Sequence, residues 1–289
     1  MKYEGMIFRP PSEAESLILQ VTVGCSYNRC TFCGAYRGKK FRVKRFEEIQ
    51  EDIDEVSGYP IRRVFLADGD ALAIPQDELR KILEYLRRRI KGLERVGIYA
   101  NARDILRKGL EQLKELRTLG LGILYLGLES GDPHVLKRVK KNATVEQMIQ
   151  AARIVKEAGI LLSVTVILGL GGVEGSQAHA RETGLVLSKM DPDFVGALSL
   201  MVVPGTPIER EIEEGRLVLP TPFGLIQELE TMIEHSEMTH CFFASNHASN
   251  YLPLRFWIPE QKEEALRRIR EVLKRRDPAL LRPEYLRGL

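Results

Sequence analysis

Short apolar runs recur along the chain, each followed by a longer stretch in which apolar residues return every three or four positions. The runs at residues 17–23, 63–66, 95–99, 122–128, 161–168 and 194–203 predict strands. The intervening segments 46–56, 77–90, 110–119, 144–158 and 177–189 predict amphipathic helices. In the second of these, Leu79, Ile82, Leu83, Leu86 and Ile90 form one apolar stripe at helical spacing. Six alternations of strand and helix argue for parallel βαβ units, because parallel neighbours require a crossover connection. The runs LGILYLGL and LLSVTVIL are apolar on both faces, as strands covered by helices are. The pattern therefore predicts an α/β protein with one domain over residues 1–205. Beyond the turn Pro204-Gly205-Thr206-Pro207 the alternation weakens. Residues 206–289 are expected to form a helical extension that packs on the first domain and closes its substrate site.

Composition narrows this only a little. The chain has 289 residues with 43 Lys and Arg against 40 Asp and Glu, a net charge of +3. So small an excess gives no reason to expect a nucleic-acid or membrane-surface partner. The longest uncharged apolar stretch, residues 158–173, is shorter than the ~20 residues of a membrane span. The N-terminal residues carry no apolar signal core, and with sparse cysteine this predicts a reduced, cytoplasmic environment.

Cysteine changes the picture. Three of the four lie within nine residues, Cys25-Ser26-Tyr27-Asn28-Arg29-Cys30-Thr31-Phe32-Cys33, directly after the first strand, and the fourth is Cys241. A structural zinc site needs four ligands, the last of which would be Cys241 or a distant histidine. Three thiolates in one compact loop also suit an iron–sulfur cluster with one iron left open to a ligand. Spacing favours the cluster and leaves zinc as the alternative.

From residue 17 to 203 the sequence resembles the radical S-adenosylmethionine (SAM) enzymes, in the subgroup with an Elp3-type core. The resemblance rests on the cysteine loop after strand one, with Phe32 just before the last cysteine. It rests also on Ala67-Asp68-Gly69-Asp70 after strand two, on Gly127-Leu128-Glu129-Ser130-Gly131-Asp132 at the end of strand four, and on Ile167-Leu168-Gly169 at the end of strand five. It implies a partial (β/α)6 TIM-like barrel and a 4Fe–4S cluster held by Cys25, Cys30 and Cys33. It implies SAM contacts at Phe32, Asp68, Gly69, Asp70, Glu129, Ser130, Ile167 and Gly169. Asp68-Gly69-Asp70 stands where the family's Gly-Gly-Glu element receives the methionine amino group, and Phe32, Ile167 and Gly169 stand beside the adenine. Two departures mark an atypical branch. Four residues separate the first two cysteines where the family has three, and Asp70 replaces the longer glutamate. The implied chemistry is reductive cleavage of SAM, followed by abstraction of a substrate hydrogen by a 5′-deoxyadenosyl radical. A ferredoxin or flavodoxin would supply the electron.

With one cysteine left over, a second thiolate-bound cluster is not expected. A single cluster acting on a small molecule suggests rearrangement, carbon–carbon bond cleavage or dehydrogenation. The polar loop Ser245-Asn246-His247-Ala248-Ser249-Asn250-Tyr251 is the substrate candidate, since loops carry function more often than cores do. Asn246, Ser249 and Asn250 are expected to bind substrate and His247 to act on it. Cys241 is a buried apolar residue by default, with hydrogen-atom donation as its functional reading. The basic run Lys39, Lys40, Arg42, Lys44 and Arg45 reads first as solvated surface. The competing classes are a zinc or iron–sulfur scaffold or electron carrier, and an RNA-modifying radical enzyme.

Overall fold

The computed structural model describes residues 1–288. Its strands are β1 (Leu17–Gln20), β2 (Thr22–Val23), β3 (Arg42–Val43), β4 (Arg63–Ala67), β5 (Arg95–Ala100), β6 (Leu121–Glu129), β7 (Leu161–Leu168), β8 (Phe194–Ser199), β9 (Cys241–Ala244) and β10 (Arg255–Ile258). The helices are α1 (Phe46–Val56), α2 (Gln76–Arg89), α3 (Ala102–Thr118), α4 (Pro133–Arg138), α5 (Val145–Glu157), α6 (Gly172–Met190), α7 (Pro207–Glu213), α8 (Pro222–Glu234) and α9 (Lys262–Arg275). Eight strands form one mainly parallel sheet, β1-β4-β5-β6-β7-β8-β9-β10, in which β10 runs antiparallel to β9. The six parallel strands from β1 to β8 are the expected ones. The last two come from the C-terminal region, where short runs between helices gave little periodic signal.

The chain divides into two compact units, and it crosses between them within the cysteine loop, β6 and β7 and after Ile149. In the first unit, residues 1–28, 35–126 and 150–162, the registers Ile18↔Phe65, Phe65↔Gly97 and Tyr99↔Tyr125 set one face of the sheet. On that face Phe65 meets Tyr99 and Tyr125 edge-on, with ring centroids 4.8 and 5.7 Å apart. Buried Glu13, just before β1, accepts hydrogen bonds from Tyr125 Oη at 2.5 Å, from Arg95 Nη2 at 2.7 Å and from Ser16 Oγ. Three donors satisfy this buried carboxyl group, which ties the segment before β1 to Arg95 at the start of β5 and to Tyr125 within β6. Gly109, with φ +68°, breaks α3 in two, which is why periodicity found only its second half. The basic run after the cysteines is not a bare surface. Lys39 pairs with Asp68, Arg42 with Glu4, Lys44 with Asp52 and Arg45 with Glu48.

In the second unit, residues 29–34, 127–149 and 163–289, the two faces of the sheet differ sharply. Val164, Val166, Val195, Ala197, Cys241, Phe243 and Ile258 are buried. Their alternates Thr165, Ile167, Gly196, Leu198, Phe242 and Ala244, aligned by register, are all half-exposed. One face is thus core and the other is open, as expected of strands that line a partial barrel.

Candidate active site

In the first unit the site is built at the C-terminal end of β4. Asp68 is fully buried after a cis Ala67–Asp68 peptide. Its backbone N–H donates to Thr22 Oγ1 at 2.9 Å, and its Oδ2 accepts from Gly24 N at 3.1 Å and Lys39 Nζ at 3.2 Å. A carboxylate thus ties β4 to the residue before Cys25. Gly69 is required sterically, since a Cβ there would lie 2.3 Å from the Tyr36 ring. Asp70 is also fully buried, and its Oδ2 accepts from Ser26 Oγ and from Asn101 Nδ2 at 2.7 Å. Oδ1 of Asp68 and Oδ1 of Asp70 meet no donor among the described residues. Buried carboxylate oxygens are rarely left in that state, so this strand end is short of hydrogen-bond donors. Burial first, and then the nearby Asp104 carboxylate, push Asp70 up to about 7. The sequence reading placed Asp68, Gly69 and Asp70 here but missed Asn101 and Asp104, which the start of α3 supplies. Cys25 is half-buried, in the same loop as Asn28, which has φ +47° and donates Nδ2–H to Tyr36 O at 2.7 Å.

In the second unit Cys30 and Cys33 are half-buried in a tight turn, with Cys33 N 3.3 Å from Cys30 O. Between them Thr31 N donates to Val139 O at 3.0 Å, and Thr31 O accepts from Ile208 N at 3.2 Å. Phe32 and Ile167, both expected at the adenine, pack on one apolar cluster that includes Val135, Leu170 and Ile208. Among the described residues no three His, Cys, Asp or Glu side chains converge on a single ion. Ligands of a polynuclear cluster bind different metal atoms, so such a cluster does not require that convergence. Three thiols suit such a cluster as a soft donor set, and the donor-poor carboxylates after β4 suit an amine.

Residues 19–180, over half of the chain, match the Radical SAM superfamily. The chain belongs to that superfamily. It is 25% identical over 151 residues to hopanoid C-3 methylase of Methylococcus capsulatus, which covers 52% of this chain and 28% of the methylase. Identity to anaerobilin synthase of Escherichia coli O157:H7 is 23% over 235 residues, 76% of this chain and 51% of the synthase. The chain therefore spans only about a quarter to a half of the length of these curated relatives. The radical SAM methyltransferase TsrM from Kitasatospora setae, solved with cobalamin and a [4Fe-4S] cluster, superposes with a TM-score of 0.58 over 69% of this chain and 39% of that one, at 20% identity. Radical SAM enzymes bind a 4Fe–4S cluster and SAM, so these are the cofactors of the family.

Two further residues, His179 and Glu228, organise the remaining positions expected to contact SAM. Ser130 Oγ lies 2.7 Å from His179 Nδ1 and accepts from Asp132 N at 3.0 Å. His179 Nε2 then faces Ile167 O and Glu228 Oε1, both at 3.1 Å. Glu228 also accepts from Gly169 N at 2.7 Å and from Ser176 Oγ at 2.7 Å. Ser130, Ile167 and Gly169 are thus linked through one fully buried His–Glu pair. A signal existed in the sequence. Ser176, His179 and Thr183 make a polar stripe at helical spacing along α6, and Glu228 interrupts the apolar stripe Leu225, Leu229 and Met232 on α8. Glu129 adopts φ +66°, and its Oε1 lies 2.8 Å from Lys141 Nζ.

The polar loop is divided in role. Ser249 Oγ accepts from Ser199 N at 3.1 Å. Asn250 accepts from Ser199 Oγ at 2.8 Å and donates to Ala197 O at 2.7 Å and Ser245 O at 2.9 Å. Both side chains are buried, and these bonds clamp the loop to the end of β8 instead of facing a substrate. With its amide oxygen turned to the guanidinium, Asn246 holds Arg255 at 2.8 and 3.0 Å. His247 is half-buried, and its Nδ1 accepts from Ser249 N at 3.1 Å and lies 2.9 Å from Ser249 Oγ. Because Nδ1 is the acceptor, the ring proton sits on Nε2. Burial, and then the Arg282 charge, lower its pKa, which keeps the ring neutral. Cys241 is on the buried face of β9 with Phe243, away from the open face that bears Phe242 and Ala244. That placement is a core position.

Two surface clefts, of about 210 and 750 Å³, are lined by Arg95, Arg117 and Gly120, and by Leu17, Arg62 and Arg63. They open at the N-terminal ends of the strands, whereas active groups in such folds collect at the C-terminal ends.

Proposed function

We propose that this chain binds a 4Fe–4S cluster through Cys25, Cys30 and Cys33, and SAM through the ends of β4, β6 and β7, to take hydrogen from a small molecule. When bound, these cofactors supply one-electron cleavage of a sulfonium carbon–sulfur bond, with the electron coming from an external donor such as ferredoxin or flavodoxin. The observation that carries the reading is the pair of buried carboxylate oxygens after β4 that meet no donor, at the position where the family receives an amine. Asp70 supplies the acceptor for that amine, and Asp68 holds the start of the cysteine loop through Gly24 N. Glu129, oriented by Lys141, is an acceptor for ribose hydroxyls. Phe32 and Ile167 offer an apolar wall for adenine. The open face of β7 to β9, with Thr165, Leu198 and Phe242, offers a mostly apolar surface for the substrate. His247, neutral with its proton on Nε2, would donate a hydrogen bond to it. Cys241, Ser249 and Asn250 have no part in this reading.

Anaerobic reconstitution with iron and sulfide, followed by dithionite and SAM, tests it. Methionine and 5′-deoxyadenosine should form, and Cys30→Ala should abolish both. A colourless protein that holds only zinc would overturn the reading in favour of a metal-binding scaffold.

A further inference from the structure

Asp70 does not stand alone. Asp104, from the first turn of α3, is 2% exposed, and its carboxyl group lies within hydrogen-bonding reach of the Asp70 carboxyl. Two ionised carboxylates have no hydrogen to share, so that contact forms only when one of them is protonated. The other groups around Asp70 do not supply a countercharge. Ser26 and Asn101 are neutral donors to its Oδ2. Arg107 pairs with Asp104 at 2.9 Å and is itself largely exposed. Lys108 directs its Nζ to Ile74 O at 2.9 Å and Gln76 Oε1 at 3.1 Å, and Lys39 is paired with Asp68. Oδ1 of Asp70 meets no donor among the described residues. The pocket is therefore built for a positive charge that its own side chains do not provide.

We propose that Asp70 and Asp104 hold one proton between them in the cofactor-free site, and that an ammonium group arriving at Asp70 displaces it, so that cofactor binding is coupled to proton release. This rests on the reading that Asp70 faces the amino group of SAM. The step is an acid dissociation: the O–H bond of the pair breaks, the proton goes to solvent, and the carboxylate left behind accepts N–H donors from the cation. No electron moves. Burial and mutual repulsion hold the pair at a single negative charge while the site is empty, and the incoming cation removes the reason to hold the proton. Asp104 becomes a positioning residue, acting through Asp70 without touching the cofactor.

Calorimetric titration of the reconstituted holoenzyme with SAM, in buffers of different ionisation enthalpy, counts the protons released. The count for Asp70→Asn gives the background from SAM itself. Wild-type protein should release close to one proton more than this at about pH 6 and almost none more at about pH 8.5, since the pair has by then lost its proton. Asp104→Asn should move the midpoint of the excess to lower pH. Infrared difference spectra of unsubstituted holoenzyme at about pH 6 should show a protonated carboxylic acid band that disappears when SAM binds. That second measurement decides the matter even where a variant folds poorly. If Asp70→Asn weakens SAM binding at about pH 8.5 but the excess is absent at every pH and no acid band is lost, the proton pair is overturned and the amine site stands. If Asp70→Asn binds SAM as tightly as wild type, the amine site itself fails, and the proposal with it.

Discussion

Glu228 Oε1 accepts the backbone N–H of Gly169 at 2.7 Å, so a carboxylate from α8 caps the end of β7. The same side chain holds Ser176 Oγ and His179 Nε2 and is fully buried. Glu228→Ala leaves buried Gly169 N and Ser176 Oγ without their acceptor, takes one of two from His179 Nε2, and should cost roughly 3–5 kcal/mol. Glu228→Gln keeps one acceptor oxygen and should cost about 1–2 kcal/mol. Urea unfolding of the two variants should therefore give midpoints in the order wild type, Gln, Ala.

Two glycines, Gly127 within β6 and Gly131 just after it, separate stability from cofactor binding. A Cβ on Gly131 would lie 2.4 Å from Glu182 O and 2.6 Å from Thr183 Cα, both backbone atoms of α6 that cannot yield cheaply. Gly131→Ala should destabilise the protein by about 1–3 kcal/mol or more. A Cβ on Gly127 would lie 2.1 Å from Glu129 Oε1, the end of a side chain that can swing away. Gly127→Ala should leave the unfolding midpoint nearly unchanged and weaken SAM binding about tenfold, because one charge-assisted hydrogen bond is worth roughly 1.5–3 kcal/mol. Equal effects on both measurements in both variants would contradict this division.

The six parallel strands and the cysteine triplet were legible because each is local: apolar periodicity marks a buried strand, and three thiols in nine residues need no partner elsewhere to be noticed. The signal weakened wherever a feature depends on residues far apart in the chain. Strands β9 and β10 are four residues each and fit the sheet only through pairing with β8 and with each other. Asn250 looked like a substrate ligand because a polar run in a loop is exposed by default. Its actual partners, Ser199 and Ala197, lie about fifty positions upstream. His179 lies in a polar stripe of α6 and Glu228 interrupts the apolar stripe of α8, and neither pattern names its partner on the other helix.

The loop after β9 gives a third prediction. Asn250→Ala removes the acceptor of Ser199 Oγ and the donors to Ala197 O and Ser245 O, all buried, and should cost about 2–4 kcal/mol. His247→Ala removes a half-exposed ring whose Nδ1 bonds stay within the loop, and should cost under about 1 kcal/mol. SAM cleavage without substrate should survive His247→Ala, while substrate-coupled turnover should be lost. Loss of the cluster in that variant, read from its visible absorbance, would place His247 in the metal site instead.

Asp70 gives the chain a pH dependence opposite in sign to that of an ordinary salt-bridged carboxylate. Its folded-state pKa is pushed up to about 7 from an ordinary value of 3.8, by burial and then by Asp104. Between those two values the folded protein binds more protons than the unfolded one, so ∂ΔG of unfolding with pH is negative. The contribution is full below about pH 4 and is lost as the pH rises through about 7. Exposed carboxylates such as Glu48 and Glu94, lowered chiefly by hydrogen bonds to Arg45 and Arg62, push weakly the other way. The difference between wild type and Asp70→Asn cancels them. Cofactor-free wild-type protein should lose stability relative to Asp70→Asn as the pH is raised from about 5 to 8, measured as the gap between their urea midpoints. A gap that stays constant across that range would mean that Asp70 is ionised in the folded protein throughout.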